Sequence, residues 1–397
     1  PHSFCIPCYT TCVLLSSCSR FHRMAFSANP VRDWKNRKKH DRRLVNPAGM
    51  AYNKNKKREV AGEMTEIFGT LGPACAQADI LGQMFSQGMT GMRLNLSHSG
   101  LKESGALIGS FFQAAQRSGI RPQLLMDMQG PEIRIGNLQA PLQLNENEEI
   151  EIGLIENGVN EDAHRIPVAE NVLAALEAGS HILLDDGKIE LVINAVSPRV
   201  LAGVLRGGVL YGRKSLKIAG RQIPGPVLTS QDREQIRLAK DYGVTALMQP
   251  FVTNGAQLEE VRHELRKNHM EHLRVFAKIE NREGMSHIHD ILPHADMLVI
   301  ARGDLGNDMP LWELPAAQQM LSAACRSEGK PFLVVTQLLA SMVHSPYPTR
   351  AEVSDIFHAV RDGAAAVMVT NETAVGDYPV QVIRYLKKTV QEAEKMR

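Results

Sequence analysis

The chain has 397 residues, 44% of them apolar, and a formal net charge of +2. That length suits two or three domains, or one large barrel carrying an insertion. No apolar run reaches the roughly 18 residues that a membrane-spanning helix needs, so neither a span nor a membrane partner is predicted.

The near-neutral charge hides an asymmetry. Residues 1–63 carry 13 Lys and Arg against 4 Asp and Glu, and the rest of the chain is net acidic. Residues 1–63 are expected to be a solvated, disordered basic extension or a non-native translation; no nucleic-acid partner is expected. Cys5 and Cys8 have a metal-like spacing, but no second Cys/His pair follows at zinc-finger distance. Met64 stands directly before the first strand-like run and is a candidate natural start. Cys75 and Cys325 read as isolated, reduced thiols.

From residue 65 the chain alternates short apolar runs, polar or Gly turns, and helical stretches. Strands are predicted at Glu66–Leu71, Gly91–Leu96, Leu124–Met128, Thr245–Met248, Val275–Ile279, Met297–Ala301, Phe332–Thr336 and Ala366–Thr370. Runs such as LLMDM, MLVIA, FLVVT and AVMVT are apolar on both faces, as parallel strands covered by helices must be. Helices are predicted at Asp79–Gln87, Leu101–Arg117, Asp232–Tyr242, Gly255–Lys267, Ala316–Glu328 and Thr349–Asp362. The alternation predicts an α/β fold, a (β/α)8 TIM barrel over 64–136 and 215–397. Residues 137–214 break the rhythm. QLNENEEIEIGLI, HILLDDGKIELVINAV and VLAGVLRGGVLYG are strand-like and separated by Asn, Gly and Asp turns. They predict a small all-β domain inserted between strand 3 and helix 3.

Chemistry in such barrels sits at the C-terminal strand ends. The predicted ends bring Arg93, Asn95, Ser97, His98, Asp127, Lys278, Glu280, Asp304 and Thr336 toward one face. Lys278 and Glu280 are two apart on a strand and so point to the same side. With Asp304 from the next strand they offer hard oxygen ligands suited to Mg²⁺ or Mn²⁺, beside a lysine for an anionic substrate. Asn95, Ser97 and Asp127 read either as a helix cap or as a monovalent-cation site of weak oxygen ligands. Gly303 and Gly306 open a turn whose free backbone N–H groups suit a carboxylate or phosphate.

The segments TLGPA (70–74), RLNLSH (93–98), GPEIR (130–134), DDGKI (185–189), KIEN (278–281), ARGDLG (301–306), TQLLASM (336–342), PTRAE (348–352) and NETAVGDYP (371–379) resemble pyruvate kinase blocks, in family order. The resemblance implies phosphoryl transfer between phosphoenolpyruvate and ADP, yielding pyruvate and ATP in cytoplasmic glycolysis. It implies Mg²⁺ on Glu280 and Asp304, and K⁺ on Asn95, Ser97, Asp127 and the carbonyl of Met128. Glu132 stands where an acid accompanies K⁺ dependence. Lys278 and Arg93 would contact the phosphoryl group, Thr336 would serve enolate protonation, and the backbone of Ala301, Gly303 and Asp304 would hold the substrate carboxylate. Asn95, His98, Arg134 and Lys214 would meet the nucleotide. A homo-oligomer is compatible with the family.

There are departures. The family's usual Asp-Thr-Lys-Gly-Pro reads Asp127-Met128-Gln129-Gly130-Pro131, and Glu66 replaces a usual Lys. The usual Ser-Gly-Glu-Thr-Ala reads Thr370-Asn371-Glu372-Thr373-Ala374. The usual Lys-Gly-Val-Asn-Leu-Pro-Gly at the exit of the inserted domain reads Lys214-Ser215-Leu216-Lys217-Ile218-Ala219-Gly220. These bear on nucleotide binding and lid closure more than on Mg²⁺ and phosphoenolpyruvate. Typical members continue into an effector-binding C-terminal domain. Either this chain lacks it or the sequence is a piece, and an enzyme without the usual allosteric domain is the simpler expectation.

Overall fold

The computed structural model describes residues 64–397 except 98, 156–163, 186, 222 and 224. The expectations placed on residues 1–63 and on His98 lie outside the described residues.

The barrel opens with β1 (Glu66–Thr70), β2 (Gly91–Asn95) and β3 (Gln123–Asp127). The inserted strands are β4 (Leu142–Leu144), β5 (Glu149–Leu154), β6 (Arg165–Val168), β7 (His181–Leu184), β8 (Ile189–Ala195), β9 (Val200–Arg206), β10 (Gly208–Leu210) and β11 (Leu216–Ile218). The barrel resumes with β12 (Ala246–Gln249), β13 (Arg274–Ile279), β14 (Met297–Ala301), β15 (Phe332–Val335) and β16 (Ala366–Met368). The eight barrel strands are parallel and close in the order β1-β16-β15-β14-β13-β12-β3-β2. The predicted (β/α)8 class is therefore the observed one.

Successive strand residues point to opposite faces, and here both faces are buried. One parity, including Phe68, Leu125, Met248, Phe276, Val299 and Met368, forms a cluster of its own in the barrel lumen. The other parity, including Ile67, Met126, Leu247, Ala277, Ile300 and Val367, packs against the helices. Phe276 is fully buried, with the Arg274 guanidinium 4.8 Å from its ring centroid. Phe276→Ala is expected to cost about 3–5 kcal/mol, seen as a lower urea midpoint at unchanged slope.

The insertion forms a six-stranded sheet, β11-β7-β8-β9-β5-β6, and a two-stranded ladder, β10-β4. Its core is separate from that of the barrel and includes Ile150, Ile152, Ile182, Leu191 and Val204. β11 lies past residue 214 yet pairs with β7, and Ile133 and Ile135 pack on the same core. The inserted layer thus reaches a few residues outside the expected 137–214. The alternating apolar positions of IRI and LKI find their partners only there.

Two helices start on reciprocal caps. Thr349 pairs with Glu352 ahead of Arg350–Arg361, and Thr229 pairs with Asp232 ahead of Ser230–Ala239. Asp232 also accepts from the Gly130 amide at 3.3 Å, which anchors the turn after β3. Gly130 has φ +62°, and a Cβ there would stand 2.4 Å from Pro250. Only glycine fits that turn without displacement. No helix among the described residues is long and apolar enough to cross a membrane.

Candidate active site

The lumen parity that is apolar deep in the barrel turns polar at the C-terminal ends. Leu125 is followed two residues on by Asp127, and Phe276 by Lys278 and then Glu280. Register places Asn95 opposite Asp127 on neighbouring strands. The polar side chains therefore meet because the strands carry them to one rim.

Asp127 is 2% exposed and sits between two cations. Arg93 Nε lies 2.6 Å from its Oδ2, and Lys278 Nζ lies 3.2 Å from its Oδ1. Lys278 Nζ is also 2.9 Å from Glu280 Oε1. Burial works against the Asp127 carboxylate, but the charges of Lys278 and Arg93 outweigh it and hold its pKa below the ordinary value. Burial likewise works against the Lys278 ammonium. Asp127, Glu280 and Asp304 outweigh it and raise its pKa. A fixed positive charge thus faces the barrel mouth at neutral pH.

Glu280 is 1% exposed. Its Oε2 accepts from the Phe251 amide at 2.8 Å. Its Oε1 accepts no aligned hydrogen bond, although Lys278 lies close. Asp304, in the short helix Arg302–Gly306 after β14, is within hydrogen-bond reach of Glu280. Burial, then the charge of Glu280, push the Asp304 carboxyl up to about 7. Two crowded carboxylates, one with an oxygen that accepts no aligned hydrogen bond, fit a divalent cation. Among the described residues no group of three or more His, Cys, Asp and Glu gathers to hold a metal. A two-carboxylate set still suits Mg²⁺, which commonly takes one or two carboxylates and completes its shell with water and substrate phosphate. A cation bound there competes with the proton of Asp304. Its affinity is expected to rise about tenfold per pH unit up to about pH 7 and then level off, as calorimetric Mn²⁺ titrations would show.

Thr336 closes the rim from β15. Its φ is +74°, and that of Gln337 is +55°, backbone that a β-branched residue rarely adopts. The Arg302 guanidinium holds this turn. It donates to the Thr336 carbonyl at 2.7 Å and the Gln337 carbonyl at 3.1 Å, and pairs with Asp355 at 2.6 Å. Thr336 Oγ1 accepts from the Gly303 amide at 2.7 Å and donates to the Val335 carbonyl at 2.5 Å.

The monovalent-cation group is arranged differently from a simple ligand ring. Asn95 Oδ1 accepts from the Ser97 amide at 3.1 Å, so this side chain caps its own turn. Both Asp127 oxygens face Arg93 and Lys278, and the Met128 side chain is buried in the outer core. Arg134 and Lys214 lie on adjacent chain crossings into the insertion, where the Ile135 amide donates to the Lys214 carbonyl. Arg134 pairs with Glu132 at 2.5 Å and donates to the Arg213 carbonyl. Lys214 pairs with Asp185 at 2.7 Å. Burial opposes the Asp185 charge, but Lys214 and Lys188 outweigh it and keep its pKa low.

The pyruvate kinase family model, described as its barrel domain, matches residues 63–383. The chain belongs to the pyruvate kinase family. It is 38% identical over 325 residues to a pyruvate kinase of Geobacillus stearothermophilus, covering 81% of this chain and 55% of that protein. It is 36% identical over 331 residues to a pyruvate kinase of Aeropyrum pernix, covering 83% and 71%. A pyruvate kinase of Staphylococcus saprophyticus is 34% identical over 335 residues, covering 83% and 57%. The chain thus spans a little over half the length of most of these relatives.

Some pyruvate kinase blocks serve the scaffold here. Glu372, in the short helix Asn371–Ala374 after β16, is 1% exposed and accepts from the amides of Thr370 and Leu339. Burial pushes the thiols of Cys75 and Cys325 up to about 11 and about 12, which keeps them as inert thiols. Several contacts had no sequence signal: Thr70 on Arg93, the Phe251 amide on Glu280, and Lys217 on the helix of Asp304.

Proposed function

We propose that the chain transfers the phosphoryl group of phosphoenolpyruvate to ADP, giving pyruvate and ATP. The observation that carries this reading is the buried column Arg93–Asp127–Lys278–Glu280, with Asp304 beside it. It brings two cations, Arg93 and Lys278, to the rim where a phosphoryl group in transfer would spread negative charge over its oxygens.

In the reaction, the P–O bond to the enolate oxygen breaks as one to the terminal ADP oxygen forms. The enolate then takes a proton at its methylene carbon. Lys278 and Arg93 would face the phosphoryl oxygens, oriented by Asp127. The backbone of Ala301, Gly303 and Asp304 would hold the carboxylate, which then competes with Thr336 Oγ1 for the Gly303 amide. The Thr336 hydroxyl must leave the Val335 carbonyl before its proton can serve the carbon. Glu280 and Asp304 would hold Mg²⁺ or Mn²⁺, whose chemistry when bound is Lewis-acid stabilisation of the phosphoryl oxygens. Asn95, Ser97, Asp127 and the Met128 carbonyl would hold K⁺ once Asp127 turns partly from its cations. Asn95, His98, Arg134 and Lys214 would meet the nucleotide. On this reading the enzyme is glycolytic and cytoplasmic, and a homo-oligomer is compatible with it.

Pyruvate release, coupled to lactate dehydrogenase, tests the proposal. Turnover should require ADP and Mg²⁺ and should fall when K⁺ is withdrawn. A rate no higher than that of Lys278→Met, or one indifferent to ADP, would sink it.

A further inference from the structure

Lys217 is the middle residue of β11. Leu216 and Ile218 on either side are buried in the inserted core, so strand alternation turns Lys217 to the opposite face. From there it crosses to the barrel. Its Nζ donates to the Asp304 carbonyl at 3.3 Å and lies 3.3 Å from Asp308 Oδ1. The Asp308 side chain is 9% exposed, and its Oδ2 accepts from the Arg282 amide at 2.7 Å, two residues after Glu280. One carboxylate therefore ties three segments: the inserted sheet, the turn after Asp304 and the turn after Glu280.

A second contact joins the same two bodies. The turn at Gly187, between β7 and β8, approaches Asn307 so closely that a Cβ there would stand 3.1 Å from its Oδ1. Both contacts land on the helix Arg302–Gly306 and its exit, the segment that carries Asp304 and the Gly303 amide.

We infer that Lys217 is a positioning residue: its ion pair with Asp308 and its bond to the Asp304 carbonyl latch the inserted domain onto the barrel mouth and steady the Asp304 segment. The inference rests on the site proposed above. Lys217 touches a main-chain oxygen and a non-reacting carboxylate, so it acts through the placement of Asp304. The pair is partly solvated, with Lys217 28% exposed. Such pairs shift an equilibrium by a few fold and weaken with salt.

The test compares the full chain with Lys217→Met, Asp308→Asn and the double variant. Asp308→Asn removes the charge but keeps an oxygen for the Arg282 amide. In substrate-free protein, hydrogen–deuterium exchange across residues 302–308 and 185–188 is expected to quicken about fivefold in each single variant and no further in the double. KM for phosphoenolpyruvate is expected to rise by about the same factor, with kcat within about twofold. Lys217→Arg should restore both readouts. Unchanged exchange, or additive effects in the double variant, overturns the latch. A fall in kcat at unchanged KM overturns the positioning role. The exchange readout needs no turnover, so its failure is distinct from failure of the proposed reaction.

Discussion

Lys278→Met is expected to lower turnover about a thousandfold, the loss typical of removing a preorganised group from developing charge. It should also leave Asp127 with Arg93 alone, and Glu280 Oε1 with no nearby cation, in a buried site. Breaking a buried pair by removing one partner commonly costs about 3–5 kcal/mol, so stability should fall as well. The two effects separate by experiment. Circular dichroism and a urea titration report the folded fraction, and the coupled pyruvate assay at a temperature where the variant is folded reports the chemistry. A folded variant that retains more than about a tenth of the wild-type rate would remove Lys278 from the reaction.

Glu280→Gln is expected to cost about a hundredfold or more in turnover and to move the Mg²⁺ requirement to higher concentration. Glutamine can still accept from the Phe251 amide, so the turn after β12 should survive. What disappears is one negative charge beside Asp304. The Asp304 carboxyl, raised partly by Glu280, should then titrate lower. Activity against Mg²⁺ concentration at fixed pH checks the first effect, and the pH dependence of Mn²⁺ binding checks the second. Unchanged Mg²⁺ dependence would take the metal away from this pair.

Much of the barrel was legible because its strands are short runs apolar on both faces that alternate with helical stretches, the pattern of a covered parallel sheet. The same property hid which parity faces the lumen. Phe276 and Ala277 look alike in sequence, yet one fills the lumen and the other meets the helices. The polar strand ends broke that tie locally, so Asp127, Lys278 and Glu280 could be gathered from spacing and family blocks. Asn95 could not be resolved, because a short amide serves a turn or a cation equally well; here it holds the Ser97 amide. Lys217 stood out only as part of a departure from the family pattern, and Asp308 stayed silent. Their meeting depends on how the inserted sheet lies against the barrel, which no local period encodes. Arg302 was visible as part of a block, but its grip on the turn at Thr336 needs the closed barrel.

The two chain crossings into the insertion run side by side. Arg134 bridges to Ser215, the Ile135 amide reaches the Lys214 carbonyl, and the Leu216 amide reaches the Ile133 carbonyl. β3 and β12 are neighbours in the barrel although the whole insertion separates them in the chain. An insertion whose ends are laced together behaves entropically as a short tether, because each halving of a loop lowers its closure cost by about 0.6 kcal/mol. Once the small sheet has folded, the halves of the barrel search for each other as if almost contiguous, and the detour through the insertion adds little to the loop-closure entropy they must overcome.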